Sequence, residues 1–128
     1  MLLDTPVWLR WLSPDGYELP HAVLEKLETD DDLAISAVSC WEVSYLIKCG
    51  RLVLPLPIEQ RLPAALQGSG IACIPLDGLI AASAANLADV HRDPADRSII
   101  ATALATQRRL LNLDSVIPKY PEMAGKLA

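Results

Sequence analysis

The sequence predicts an α/β fold with a short, mostly parallel central sheet flanked by helices. Short apolar segments typical of strands alternate with longer segments whose apolar residues have helical spacing. No internal repeat, low-complexity segment or linker interrupts this alternation. The 128 residues are 52% hydrophobic and 21% charged, which suffices for one core and argues against disorder. We therefore expect a single domain over residues 1–128.

The first half of the chain is predicted to contain two strands and three helices. Thr5 is the expected N-cap of the first helix, with Pro6 as its first residue. Ser39 is the expected N-cap of the third helix, and Gly50 lies just beyond its end. The predicted elements are strand 1–4, helix 5–12, turn 13–16, helix 21–28, turn 30–32, strand 33–36 and helix 39–50.

The second half is predicted to contribute two further strands and three helices. Pro63 should kink or restart the first of these helices, because proline cannot donate the helical hydrogen bond. Asp93 is a good N-cap for the last helix, and Pro94 suits its first position. The predicted elements are extended chain 51–57, helix 58–67, a break at 68–70, strand 71–76, helix 77–90, helix 94–107, strand 108–113 and a tail.

Charge and cysteine content exclude several classes of protein. The net charge of -5 argues against a protein that holds nucleic acid by bulk positive charge alone. No uncharged apolar run approaches the roughly 20 residues of a membrane span, so we expect a cytoplasmic protein without a membrane partner. The three cysteines, Cys40, Cys49 and Cys73, form no C-x-x-C pair and are predicted to be buried, reduced thiols.

Asp96 occupies an unexpected place in the segment HRDPADRSIIATALA. A carboxylate in the first turn of a helix can interact with the helix start, which would explain the residue without any function. Helical spacing from position 96, however, leads to an apolar face formed by Ile99, Ile100, Ala103 and Leu104. Asp96 is therefore predicted to point toward the sheet.

Glu42 repeats this pattern. Ser39 and Glu42 have the spacing of a capping box, which is the structural explanation. The residues at helical spacing from Glu42 are nevertheless largely apolar: Tyr45, Leu46 and Cys49. Glu42 is therefore also predicted to begin a buried helix face.

Asp4 and Asp114 each follow a predicted strand. The carboxyl ends of parallel strands and the helix starts that follow them share one edge of an open sheet, where ligands bind. Asp4, Glu42, Asp96 and Asp114 should therefore meet at one rim. Clustered carboxylates repel, and a hard divalent cation such as Mg²⁺ or Mn²⁺ relieves that repulsion. The set therefore predicts metal-assisted hydrolysis of phosphodiesters.

Four segments follow one another along the chain in a characteristic order: LLDTPVWLRWL, AISAVSCWEVSYLIKCGRLVLPLP, HRDPADRSIIATALA and RRLLNLD. In this ordered series the chain resembles the PIN domain, specifically the VapC-type toxins of bacterial toxin–antitoxin pairs. The resemblance implies a three-layer α/β/α fold, a Mg²⁺- or Mn²⁺-dependent endoribonuclease acting on RNA, a cognate antitoxin and a homodimer. It also implies that the metal-binding and catalytic acids are Asp4, Glu42, Asp96 and Asp114.

One departure from the family concerns the last acid. The family often has a small hydroxyl residue two positions before this aspartate, where this chain has Asn112. Asparagine can still donate a hydrogen bond to a carboxylate or to water. We therefore expect that asparagine in place of the hydroxyl residue has only a modest effect on the role of Asp114.

Other polar residues have both functional and structural interpretations. Arg92 and Arg97 are candidates for contacts with substrate phosphate, although Arg97 could instead reach a neighbouring carboxylate. Thr5 and Ser39 could bond site carboxylates, but capping explains both, and His91 is expected at the surface. The alternative function is a non-catalytic interaction module whose acids are only helix caps; it predicts no stabilisation by divalent cations.

Overall fold

The structure is a computed structural model that describes residues 1–12, 19–53, 57–68 and 70–128. The predicted turn at 13–16 lies outside these residues, as do parts of the predicted extended segment 51–57 and of the break at 68–70.

Strands and helices alternate along the described chain, as predicted. Pro63 ends one helix, and a π-helical segment, Ala64–Gly68, continues from it, which confirms the predicted change of helical geometry there. Two short 3-10 turns, Ile117–Lys119 and Pro121–Met123, form the tail. The remaining elements are β1 (Leu2–Leu3), α1 (Thr5–Leu12), α2 (His21–Thr29), β2 (Ala34–Ser36), α3 (Ala37–Lys48), α4 (Ile58–Pro63), β3 (Ala72–Ile74), α5 (Gly78–Ala85), α6 (Pro94–Thr106) and β4 (Leu110–Leu111).

The strands form one sheet in the order β3-β2-β1-β4, and every strand pair in the described chain is parallel. Leu3 is in register with Ile35 of β2 and with Leu111 of β4. The residues that follow these three therefore leave the sheet side by side at its carboxyl edge. This register places Asp4 at the centre of that edge.

The sheet is covered on both faces because successive strand residues point in opposite directions. Leu3, Ile35 and Leu111 pack with Trp8 of α1 and Val43 of α3 in one buried cluster. A second cluster contains residues from the opposite face of the strands together with α6 and the tail: Leu2, Ala34, Leu110, Ile99, Ile100, Ile117 and Tyr120. The predicted three-layer α/β/α arrangement is confirmed.

The beginning of α3 differs from the prediction in a way that affects the site. The helix begins at Ala37, directly after β2, and the side chain of Ser36 accepts the capping hydrogen bond from the Val38 amide. The predicted N-cap at Ser39 and its capping box with Glu42 are therefore wrong. Both residues lie inside the helix, where their side chains are available for contacts across the structure.

The α5 helix ends at Ala85, five residues before its predicted end at 90. Its terminal carbonyl groups are bound by Arg97 of α6, whose guanidinium donates to the carbonyl oxygens of Ala84 and Ala85 at 3.0 and 3.2 Å. It also donates to the carbonyl oxygens of Leu87 and Ala88 in the chain that follows α5. A tertiary contact therefore ends this helix, which the alanine-rich sequence alone would have continued.

Two other expectations concern the surface of the molecule. Among the described residues, no helix is both long enough and apolar enough to span a membrane. All three cysteines are free, but Cys49 and Cys73 are exposed, so the prediction of buried thiols is wrong for these two. The β3 strand that carries Cys73 is an edge strand, which explains the exposure.

Candidate active site

A cleft of about 440 Å³ opens at the carboxyl edge of the sheet. Four acidic residues line it: Glu42, Asp93, Asp96 and Asp114. Thr5, Arg10 and Arg51 contribute further polar side chains to the walls. The structure therefore brings the strand-end and helix-start acids to one rim, as the fold predicted.

Asp4 lies beneath this cleft and is only 1% exposed. Its Oδ1 accepts a hydrogen bond from the Val7 amide at 3.0 Å, and its Oδ2 accepts one from the Leu113 amide at 3.3 Å. Asp4, rather than Thr5, therefore caps α1. Burial, together with the smaller effect of the Asp114 and Asp96 charges, raises the pKa of Asp4 to about 6 despite these two hydrogen bonds.

Glu42 lies in the second turn of α3, facing the start of α1. Its Oε1 is 2.5 Å from the Thr5 hydroxyl, which lies 2.9 Å from the Ser39 hydroxyl. Thr5 therefore takes the carboxylate-bonding role that the sequence left as an alternative to capping, whereas Ser39 contacts the Thr5 hydroxyl. Burial raises the pKa of Glu42, the Thr5 hydrogen bond opposes this, and the charges of Asp96 and Asp93 add to it.

Asp96 reaches the cleft from the first turn of α6. The preceding Asp93 caps this helix as predicted, by accepting hydrogen bonds from the Ala95 and Asp96 amides. Asp96 Oδ2 lies 3.1 Å from His91 Nε2, and the other ring nitrogen of His91 is 2.6 Å from the Tyr120 hydroxyl. The prediction of a surface role for His91 is wrong, because its half-buried ring orients the Asp96 carboxylate.

The pKa of Asp96 is also raised. Its burial has the largest effect, the hydrogen bond from His91 lowers the pKa, and the charges of Asp93 and Asp114 raise it. Asp4, Glu42 and Asp96 thus all hold protons more tightly than ordinary carboxyl groups do. Such a cluster is typical of a functional site.

Asp114 enters the cleft from the segment that follows β4. Its Oδ1 accepts hydrogen bonds from the Val116 and Ile117 amides, both at 2.8 Å, and so caps the first 3-10 turn of the tail. The Asn112 side chain donates to the backbone carbonyl of Asp114 at 2.9 Å. Asparagine at this position therefore fixes the backbone that presents Asp114, without contacting its carboxylate.

The donor set suits a hard divalent cation, although no metal-binding group is formed in advance. Among the described residues, no three acidic, histidine or cysteine side chains are arranged as a group that could hold a metal ion. In Glu42, Asp96 and Asp114, however, one carboxylate oxygen accepts hydrogen bonds while the other accepts none from the described residues. Rotation of these carboxylates would present oxygen ligands of the kind that Mg²⁺ and Mn²⁺ prefer.

The predictions for Arg92 and Arg97 as substrate contacts need correction. Arg97 is buried, and its donors bond to backbone carbonyls of the α5–α6 connection and to the Tyr120 hydroxyl. Arg92 is exposed but lines a different hollow, beside α5. The cations that line the acidic cleft are Arg10 and Arg51. Arg10 could have been found from its spacing, because it follows Pro6 by one turn on the helix that Asp4 caps.

Comparison with known proteins identifies the family of the chain. A family model described as PIN domain matches residues 1–123. The chain belongs to the PIN domain family. Ribonuclease VapC22 of Mycobacterium tuberculosis is 31% identical to this PIN domain over 115 residues, which cover 89% of the chain and 86% of that protein. The predicted resemblance to VapC-type PIN domains is thereby confirmed.

Two solved structures share the fold of this PIN domain. A toxin–antitoxin complex from Klebsiella pneumoniae matches with 23% identity and a TM-score of 0.67, covering 94% of this chain and 92% of that chain. The sarcin–ricin loop cleaving toxin VapC20 of Mycobacterium tuberculosis matches with 10% identity and a TM-score of 0.68, covering 94% of this chain and 96% of that chain. At these identities, the likeness bears on the fold alone.

Proposed function

We propose that this PIN domain is a divalent-metal-dependent endoribonuclease and the toxin of a toxin–antitoxin pair. The observation that carries the proposal is that Glu42, Asp96 and Asp114 line one cleft, with Asp4 close enough for the charges of Asp96 and Asp114 to raise its pKa. The pKa values of Glu42 and Asp96 are raised as well. The name of its relative VapC22 describes that protein as a ribonuclease.

Asp4 and Asp96 are the proposed direct ligands of one Mg²⁺ or Mn²⁺ ion. Glu42 is a further ligand or holds a coordinated water, and Asp114 completes the site. When bound, the metal lowers the pKa of the attacking water and offsets charge on the phosphodiester. The raised pKa values of Asp4 and Asp96 support this assignment, because burial and, to a smaller extent, neighbouring negative charges disfavour their ionised forms, and a bound cation would offset both effects.

The remaining polar residues of the cleft position these acids or meet the substrate. Thr5 fixes the orientation of Glu42, and His91 fixes that of Asp96. Arg10 and Arg51 line the same cleft and are placed to contact RNA phosphates beside the acids. Their charge, together with the metal, reduces the repulsion between an acidic protein and a polyanion. Binding of RNA should accordingly weaken with salt.

The proposal includes a partner protein and an assembly. A cognate antitoxin is proposed as the inhibitor, and the similarity to a toxin–antitoxin complex from Klebsiella pneumoniae supports such a partner. A homodimer is proposed because two copies could join basic side chains around one RNA. The proposed compartment is the cytoplasm, where RNA is available.

The alternative function, a non-catalytic module whose acids are only helix caps, explains part of the cleft. Asp4, Asp93 and Asp114 all accept capping hydrogen bonds from backbone amides. Glu42 and Asp96 cap no helix, and their partners in the cleft are the side chains of Thr5 and His91. Capping therefore does not account for Glu42 and Asp96, two partly buried acids whose pKa values are raised.

The test is cleavage of a structured RNA by the purified protein with MnCl₂, with MgCl₂ or with EDTA. We expect cleavage that requires the metal, that is lost in Asp96→Asn and that is retained in Asp89→Asn, an exposed acid outside the cleft. Equal cleavage in EDTA would contradict metal dependence. Full activity of a folded Asp96→Asn variant would remove this residue from the site.

A further inference from the structure

Two aromatic rings are exposed on α3, the helix that carries Glu42. Trp41 and Tyr45 of α3 are 60% and 50% exposed. Their ring centroids are 5.1 Å apart and their planes differ by 6°, so the rings are stacked in parallel. Large aromatic side chains usually bury their faces, and this pair instead presents a preformed stack to solvent.

The pair lies on the helix that contributes Glu42 and Leu46 to the cleft. On an ideal helix, Tyr45 is rotated by about 40° and Glu42 by about 100° from Trp41, so the aromatic rings border the acidic face. Lys48 lies one further turn along, about 20° from Trp41, and its side chain is exposed. Arg51, which follows the helix, lines the cleft itself. We call Trp41, Tyr45 and Lys48 the aromatic strip.

We infer that the aromatic strip binds unpaired bases of single-stranded RNA beside the phosphodiester that is cut. Trp41 stacks on a base and extends the Trp41–Tyr45 stack by one layer, while Lys48 contacts a neighbouring phosphate. This inference rests on the proposed function, because it places the strand so that the next nucleotide reaches Glu42. It adds that the substrate must be unpaired there, since paired bases cannot present their faces.

The composition of the strip favours RNA over a protein partner. Stacked aromatic rings beside a cation are typical of surfaces that bind single strands. Lysine, in contrast, is depleted in the buried centre of protein interfaces. The other large exposed apolar side chains of the described chain lie outside α3: Val53, Leu76 and Leu79. The strip is therefore a better match for nucleic acid than for an apolar protein surface.

The test measures binding of a labelled single-stranded RNA in EDTA and cleavage of the same RNA in MnCl₂. Trp41→Leu keeps apolar volume but removes the ring, and should weaken RNA binding about ten-fold, since one stacked base contributes roughly 1–3 kcal/mol. Trp41→Phe should recover most of the affinity. Leu79→Ala, a change at an 82% exposed side chain of α5, is the matched control and should bind as the wild type.

Two further measurements separate stacking from other effects. An abasic nucleotide at the stacked position should weaken wild-type binding as much as Trp41→Leu does, and should not weaken the variant further. Lys48→Gln should reduce the slope of log affinity against log salt by about 0.7, the value for one phosphate contact on a single strand. In cleavage, Trp41→Leu should raise KM and leave kcat unchanged.

Failure of the stacking inference and failure of the proposed function give different results. If Trp41→Leu binds and cleaves RNA as the wild type does, or if duplex RNA binds equally well, the strip is not a stacking surface, although the proposed function stands. If Trp41→Leu instead changes the sedimentation coefficient of the protein without changing RNA affinity, the strip is a protein interface. If the wild type binds RNA through Trp41 but never cleaves it, the proposed function fails and the strip remains.

Discussion

Asp96 and Arg97 are consecutive residues of α6 that serve opposite regions of the molecule. Asp96 faces the acidic cleft, where His91 is the one side-chain partner of its carboxylate among the described residues, and where its pKa is raised. Arg97 turns toward α5, where it is 8% exposed and donates to backbone carbonyls and to the Tyr120 hydroxyl. The first region holds charge that is poorly neutralised, and the second holds a charged group whose donors are all used.

This difference separates function from stability in the same helix. A buried cation with all donors satisfied connects α5 to α6, and its removal leaves carbonyl groups without partners. Several clustered carboxylates with few hydrogen-bond donors destabilise the metal-free protein, and the same arrangement favours the binding of a cation. We therefore expect substitutions in the cleft to abolish activity without unfolding the protein, and substitutions at Arg97 to act chiefly by lowering the free energy of unfolding.

The largest expected effect is on catalysis. Glu42→Gln and Asp96→Asn should each lower kcat by about a thousand-fold, corresponding to roughly 4 kcal/mol of transition-state stabilisation through one bound metal. Because the acids act as a unit, the double variant should lose little more than either single variant. Single-turnover cleavage in MnCl₂ measures this, and additive losses in a folded double variant would contradict a shared metal.

The next largest effect is on stability. Arg97→Met should lower the free energy of unfolding by about 3 kcal/mol, because buried carbonyl groups lose their donors. Arg108→Met, which removes an ion pair to the exposed Asp32, is the control and should cost at most about 1 kcal/mol. Urea denaturation measures both. Equal losses would show that Arg97 is not the connection between α5 and α6.

A pH effect of similar size is expected from Asp4. Its folded pKa of about 6 exceeds the ordinary aspartate pKa of 3.8, so its contribution to stability is full below pH 3.8 and is lost as pH rises through 6. The loss amounts to about 3 kcal/mol. In EDTA, Asp4→Asn should flatten the dependence of unfolding free energy on pH between 4 and 7. If the Asp4→Asn variant had the same slope as the wild type, the pH dependence would arise from other groups.

The smallest expected effect concerns Thr5. Thr5→Val removes the hydroxyl that orients Glu42 and should lower kcat by about ten-fold, corresponding to one hydrogen bond of roughly 1.4 kcal/mol to a charged group. Thr102→Val removes a buried hydroxyl that bonds to the Ser98 carbonyl within α6, and is the matched control. A ten-fold loss in the control as well would mean that both act through the fold.

The position of the acidic cleft could largely be predicted from the sequence, because local patterns determine where the strands end and the helices begin. The strand ends at Asp4 and near Asp114, and the helix start at Asp93, follow from apolar spacing and capping chemistry. Parallel strand order then places the acids at one edge.

The errors have a different origin. The predictions for Arg97 and His91 are wrong because the partners of these residues are distant in the chain. Arg97 binds carbonyl groups of α5, and His91 contacts Tyr120. Local sequence patterns do not reveal such contacts. Ser39 was misassigned because Ser36, three residues earlier, is an equally good cap. In each case a tertiary contact, or a choice between two similar local signals, decided the structure.

The most direct test of the account is calorimetric titration of MnCl₂ into the metal-free protein. For the wild type and Asp89→Asn we predict saturable binding at pH 7.5, with protons released on binding at pH 6, where the Asp4 carboxyl group is partly protonated. For Asp96→Asn we predict that this binding is lost. Absence of saturable binding in the wild type, or the same binding in Asp96→Asn, would contradict the claim that these acids hold a cation together.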